Sequence, residues 1–249
     1  ERLYDPAKAN GPMRLAIFLS GGGSTALHIL KNQTKHFKVA CIFTDNNTSK
    51  ASSLAREFSI PLKVNDIKEF YRKKGVQNLR DMKVREEFDG ETQKWLIHNE
   101  VDAVALAGYM SLVTEPICNE YITLNSHPAD LTVKDKNGKR KYTGAHAVLD
   151  SVNDGLKEIR TTIIWVNLSC DEGPILVRSK PVKIPNTDGM DAERKKEIAN
   201  TVQEQLKKTG DYPAYIAALE LLSQGRIEAE DNSVYINGVR SPNGIDLAA

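Results

Sequence analysis

Apolar residues in this chain fall into short unbroken runs separated by segments with helical spacing, and that alternation sets the first expectation of its fold. Leu15-Ala16-Ile17-Phe18-Leu19 is such a run; Ser20-Gly21-Gly22-Gly23-Ser24 ends it, and Ala26, Leu27, Ile29 and Leu30 then indicate a helix. A second run covers Val39 to Phe43. Ala51, Leu54, Ala55 and Phe58 follow at i, i+3, i+4 and i+7, the stripe of an amphipathic helix. Further on, Val84, Phe88, Thr92 and Trp95 keep helical spacing and lead into the strand-like run Val101-Asp102-Ala103-Val104-Ala105-Leu106. Strands with so little polar alternation are buried on both faces, as in parallel sheets covered by helices. The expected fold is therefore α/β: a doubly wound, mostly parallel central sheet flanked by helices.

Beyond residue 120 the pattern becomes mixed. Ile122 to Leu124 and Thr161 to Val166 read as strands, and the polar stretch 130–143 between them has a hairpin tip at Lys136-Asn137-Gly138-Lys139. A further strand is expected from Ile175 to Val182. Ile198, Val202 and Leu206 make a helix-to-core stripe, and a second helix is expected over Tyr212 to Leu222. The tail offers two short strands, Arg226 to Ala229 and Val234 to Ile236, joined by Glu230-Asp231-Asn232-Ser233. Residues 1–13 read as a flexible N-terminal arm and 14–249 as a single domain without internal repeats.

Charge and cysteines narrow the ligand classes. With 34 basic and 33 acidic residues the formal charge is +1, which provides no electrostatic reason to expect a nucleic-acid or membrane partner and leaves small molecules as the default ligand. Cys41, Cys118 and Cys170 are odd in number and form no C-x-x-C pair, so neither a disulfide framework nor a zinc site is signalled. A reducing cytoplasm fits, and no metal is expected. No run approaches the roughly 18 apolar residues that span a bilayer.

Two places carry candidate chemistry. A glycine-rich turn between a buried strand and a helix N-terminus presents backbone N–H groups and a positive helix end, which suits a phosphate. Ser20 to Ser24 fits, without the Gly-Lys-Ser/Thr of a Walker A loop or the G-x-G-x-x-G spacing of a dinucleotide site; a tight turn needing positive φ is the plainer reading. Asn125 and His127 follow the apolar start of a strand, where open α/β sheets place ligand residues, and their spacing of two points both to the same side. Asp171, before Gly173-Pro174, places a carboxylate after a second apolar strand, where a turn-capping role is the plainer alternative.

Taken in order, the motifs resemble those of the folate-dependent formyltransferases. S-G-G-G-S at 20–24, R-x-x-F-D from Arg85 to Asp89, D-A-V-A-L-A-G-Y-M at 102–110, L-N-S-H-P at 124–128, G-A-H-A at 144–147 and D-E-G-P-I-L at 171–176 carry the likeness, which spans roughly residues 14–229. The N-x-H-P and D-x-G-P elements mark the wider group, and the glycine loop narrows it toward the purine-pathway branch. The resemblance implies 10-formyltetrahydrofolate as cosubstrate and a phosphorylated amine as acceptor, glycinamide ribonucleotide first. By matched position it assigns catalysis to Asn125, His127 and Asp171. It assigns the acceptor phosphate to Ser20, Gly21, Gly22, Gly23, Ser24 and Thr25, and the folate to Arg85, Leu106, Met110, Ser111, Leu112, Val113 and Cys170. Asn125 and His127 would stabilise a tetrahedral oxyanion. Asp171 would direct proton transfer, an effect typically worth about 10²–10⁴ in rate.

The chain also departs from the family pattern. The family loop is usually S-G-N-G-S-N, where this chain has Gly22 and Thr25 in place of the asparagines. The compact Leu-Leu-Pro turn after H-P is replaced by Ala129-Asp130-Leu131-Thr132-Val133 and a basic hairpin through Lys141, which reads as a solvated hairpin or as a lid that could reach an acceptor phosphate. Ile164 stands where V-H-x-V has histidine, and of the family's E-H-x-x-Y-P only Tyr212-Pro213 aligns. Formylation of another amine such as a sugar nucleotide, hydrolysis of the formyl folate by water, and a non-catalytic folate- or nucleotide-binding paralogue are the alternatives. A monomer or a homodimer is expected.

Overall fold

The run that opens the sequence pattern becomes β1 (Met13–Leu19) in the computed structural model, which describes residues 1–230 and 233–247, and only Arg14 of this strand is exposed. The glycines after it lead into α1 (Ser24–Lys31). β2 (Phe37–Thr44) lies parallel to β1, and α2 (Ala51–Phe58) connects it to the short β3 (Leu62–Val64), parallel to β2. α3 (Ile67–Lys73) and α4 (Met82–His98) each start at an aspartate whose carboxylate accepts first-turn N–H groups, Asp66 from Glu69 and Asp81 from Lys83 and Val84. The chain then crosses to the other side of β1 as β4 (Ala103–Leu106), and α5 (Glu115–Cys118) precedes β5 (Ile122–His127), parallel to β4.

The strand order here, β3-β2-β1-β4-β5, reverses direction of growth between β1 and β4. Such a reversal opens a crevice at the carboxyl ends of the two strands, where ligands bind in doubly wound sheets. These elements belong to one compact unit, Tyr4–Asn125 with Val166–Leu168. Its core includes an aromatic cluster from strand and helix, with Phe18 and Phe43 rings 4.7 Å apart and Phe70 and Phe88 5.2 Å apart. Contacts of this kind add to the area that each ring buries.

The second unit holds Glu1–Leu3, Ser126–Trp165 and the chain from Ser169 onward. After α6 (Ala147–Asn153) and β6 (Glu158–Ile159), β7 (Thr162–Trp165) pairs antiparallel with β8 (Ile175–Arg178). The strand expected over 175–182 is two strands. The Ser179 N–H still donates to Thr161 C=O, in continuation of the β7–β8 register, but Pro181 has no N–H to donate, and β9 (Val182–Lys183) pairs instead with β6. α7 (Ala192–Leu206) buries Val202 and Leu206 as its stripe predicted, within a cluster containing Ala129, Tyr142, Val148 and Val152. A π-helical turn, Lys207–Asp211, carries it into α8 (Tyr212–Ser223).

β10 (Ile227–Glu230) and β11 (Ser233–Ile236) pair antiparallel; Asp231 and Asn232, part of the expected connection, lie outside the described residues. Two strands without a sequence signal follow, β12 (Val239–Arg240) beside β11 and β13 (Ile245–Asp246) parallel to β8. The start of the expected arm is engaged: Leu3 N–H donates to Ile227 C=O at 3.0 Å and Ala229 N–H to Glu1 C=O at 2.8 Å. The expected hairpin is present, with a Lys134–Arg140 bridge, Asp135 N–H on Lys139 C=O at 2.8 Å and Gly138 at φ 77°. The expected α/β architecture, with a mostly parallel central sheet flanked by helices, is therefore the one observed.

Candidate active site

At the switch point of the first unit, the glycine loop leaves β1 and the segment 107–113 leaves β4. Gly23 is the residue before α1, at φ 68°, and a Cβ there would lie 2.9 Å from Leu54 Cδ1, so glycine is required for both conformation and space. A Cβ at Gly21 or Gly22 would meet nothing within 4 Å, which leaves open space beside that backbone. No side chain caps α1, and its first turn holds no acidic residue. The loop is secured from behind: Asn46 Nδ2 donates to Ser20 C=O at 2.8 Å and Lys50 N–H to Gly21 C=O at 3.0 Å. Gly21, Gly22 and Ser24 are exposed, whereas Thr25 is buried and Ser20 Oγ accepts the Met110 N–H at 2.9 Å.

The residues expected at folate divide by exposure. Met110 and Leu112 are exposed apolar side chains, at 77% and 54%, while Leu106 and Val113 are buried. Ser111 Oγ donates to Asp45. Arg85 lies beneath the segment rather than on it: the side chain is buried, and Nε donates to Leu112 C=O at 2.8 Å. Nearby Asp89 accepts the Thr114 N–H and hydroxyl, each at 2.7 Å. Burial pushes the Asp89 carboxyl up, and the Arg85 charge and the Thr114 bonds oppose that rise.

In the second unit, His127 and Asp171 come together. The imidazole is buried; Nε2–H donates to Tyr142 C=O at 2.7 Å, and Nδ1 lies 3.4 Å from Asp171 Oδ1. A carbonyl only accepts, so Nε2 carries its hydrogen in this bond and Nδ1 is the position left for proton exchange with the carboxylate side. Asp171 has φ 55°, left-handed for a residue with a Cβ. Its Oδ2 accepts the Gly144 N–H at 2.7 Å, and Cys170 Sγ, on an exposed residue, lies 3.5 Å from the same oxygen. Burial alone would raise the Asp171 carboxyl; the His127 bond and charge and the Gly144 bond outweigh it and hold the carboxyl at about 2. Asn125 stands two residues before His127 on β5, opposite Leu106 in register.

Gly144 carries a sequence signal as the start of G-A-H-A, whereas Arg140 and Asp211 carry none of their own. Gly144 supplies a backbone donor to Asp171. Arg140 Nη1 donates to Asp171 C=O. Asp211, at the end of the π-helical turn, accepts the Thr161 hydroxyl at 2.5 Å; burial raises its carboxyl to about 6, against the Thr161 bond and the Lys207 and His127 charges. The Tyr212-Pro213 pair that aligns with E-H-x-x-Y-P begins one residue past this carboxylate.

The first unit has a parallel sheet with a glycine loop at its switch point, and the second an ionised carboxylate paired to a buried imidazole, a pair suited to moving protons in a transfer reaction. The Formyl transferase family profile matches residues 13–208, and the chain belongs to that family, as a formyltransferase. It is 26% identical over 234 residues to the phosphoribosylglycinamide formyltransferase of Haemophilus influenzae, covering 92% of this chain and 96% of that one. The solved phosphoribosylglycinamide formyltransferase of Bacillus halodurans matches at 26% identity with a TM-score of 0.63, over 85% of this chain and 96% of that chain. That of Coxiella burnetii shares the fold at 19% identity, with a TM-score of 0.72 over 95% of this chain and 100% of that chain. Among the described residues no helix is long and apolar enough to cross a membrane, and no group of three or more His, Cys, Asp or Glu could hold a metal.

Proposed function

We propose that this formyltransferase moves a formyl group from 10-formyltetrahydrofolate to the amine of a phosphorylated acceptor, glycinamide ribonucleotide first, as a cytoplasmic enzyme of purine biosynthesis. The observation that carries this reading is the His127–Asp171 pair, with its carboxyl held at about 2. The names of its relatives support the choice of acceptor. Small molecules are its substrates; no nucleic-acid partner is invoked, and the enzyme acts as a monomer or homodimer.

In this reading the acceptor nitrogen attacks the formyl carbon, a new C–N bond forms, the bond to the folate nitrogen breaks, and a proton passes from the acceptor amine to that nitrogen. Asn125 donates an amide N–H to the oxyanion, and His127 supplies positive charge beside it. Asp171 stays ionised at neutral pH, so its role is to orient His127 and water, and the proton passes from the acceptor amine to the folate nitrogen through that water. The exposed backbone of Gly21 and Gly22 and the uncapped start of α1 suit the acceptor phosphate, with Ser24 beside them. Ser20, Gly23 and Thr25 shape that loop rather than face the phosphate. Met110 and Leu112 offer apolar surface to the folate rings, with Leu106, Val113 and Arg85 supporting the segment from beneath and Cys170 beside Asp171.

The test mixes the protein with a 10-formyltetrahydrofolate analogue and glycinamide ribonucleotide and follows deformylated folate by absorbance. Release that requires the amine, and that falls at least about 10²-fold in Asp171→Asn, supports the reading. Amine-independent release would identify a deformylase. Folate binding without release would direct the search to another amine, or to a paralogue that only binds.

A further inference from the structure

The hairpin inserted between β5 and α6 is anchored at both ends. On one side the Lys134–Arg140 bridge and the Lys141 N–H on Val133 C=O, at 3.0 Å, close it on itself. On the other side Lys141 Nζ lies 2.7 Å from Asp154 Oδ2 and the Tyr142 hydroxyl donates to the same oxygen at 3.0 Å, which ties the segment to the end of α6. From between these anchors three groups reach the His127–Asp171 pair. The Arg140 guanidinium donates to Asp171 C=O, Tyr142 C=O accepts from His127 Nε2, and the Gly144 N–H donates to Asp171 Oδ2.

Arg140 differs from the other basic residues of this hairpin. Lys134, Lys136 and Lys139 are exposed, while the Arg140 side chain is 9% exposed, with Nε 3.8 Å from Glu172 Oε2. A guanidinium so placed has left water for fixed protein acceptors, which a solvated hairpin charge does not do. Its acceptor is the carbonyl of a residue in the left-handed region, a conformation that persists only where the surroundings impose it. We infer that Arg140 is a positioning residue: through Asp171 C=O and Glu172 it holds the 169–173 turn so that the Asp171 carboxylate faces His127 and Gly144. The insert is then a brace for the catalytic pair rather than a lid over the acceptor.

The inference rests on the proposed function only for its kinetic arm, so its test has two readouts. The first is amide hydrogen exchange at Gly144 and across 169–173 in the intact protein. Arg140→Met is expected to accelerate that exchange by about tenfold or more, Arg140→Lys to restore part of the protection because a cation remains without the fork, and Lys136→Ala at the tip to change nothing. The second is kinetic: Arg140→Met should lower kcat about tenfold or more while KM for each substrate stays within about threefold, with partial rescue in Arg140→Lys. Unchanged exchange and unchanged kcat in a folded Arg140→Met overturn the brace, as does a loss of protection that spreads evenly over the whole protein. If the parent protein transfers no formyl group but the exchange readout behaves as expected, the brace stands and the proposed function falls.

Discussion

Arg85 shows how a single buried charge supports a binding segment it does not surface in. Its Nε holds Leu112 C=O, and its charge opposes the desolvation of Asp89, which in turn holds Thr114. Arg85→Met removes the donor to Leu112 C=O and the charge that favours the buried Asp89 carboxylate, so it should lower the unfolding free energy by about 1–3 kcal/mol in urea denaturation, and adding Asp89→Asn should recover part of it. The same scale sets what the sequence could disclose. His127 and Asp171, which the structure brings together, could be picked out because their types suit the chemistry and they follow apolar strands. Arg140 and Asp211 could not, because each owes its role to a partner far along the chain, Asp171 at 31 residues and Thr161 at 50. Local spacing carries no trace of either.

At the scale of elements, continuous apolar runs and helical stripes were enough for β1, β2, β4, α2, α4 and α7, because burial on two faces or on one stripe is written directly in the composition of each. The break between β8 and β9 was not, since Val182 and Lys183 pair with Glu158 and Ile159 of β6 rather than with β7. The join of α7 to α8 was equally hidden. It is a π-helical turn with Gly210 as its fourth residue, where a Cβ would meet Thr161 Oγ1 at 2.7 Å, Leu206 Cδ1 at 3.0 Å and Ser179 Oγ at 3.2 Å. None of these is the loose end of an exposed side chain, so Gly210→Ala should cost about 1–3 kcal/mol by overpacking, read as a lower denaturant midpoint at unchanged slope.

For the molecule as a whole, two carboxylates impose opposite pH dependences on stability. Asp171 is held at about 2 in the fold against 3.8, so its contribution is complete above 3.8 and is lost as pH falls toward 2. Asp211 is raised to about 6, so the fold is favoured while it is protonated, and stability is lost as pH rises from 3.8 to 6. Thermal melts should therefore show Asp211→Asn gaining on the parent across pH 4 to 6 and holding that gain above, while Asp171→Asn flattens the acid limb below pH 4. The left-handed backbone at Asp171 bears on selection. Glycine and asparagine adopt that conformation more readily than aspartate, and neither can carry the charge that His127 faces. At neutral pH the lost charge outweighs the eased backbone, so a library screened for heat resistance alone should retain aspartate here, making residue 171 a point where robustness and turnover ask for the same side chain.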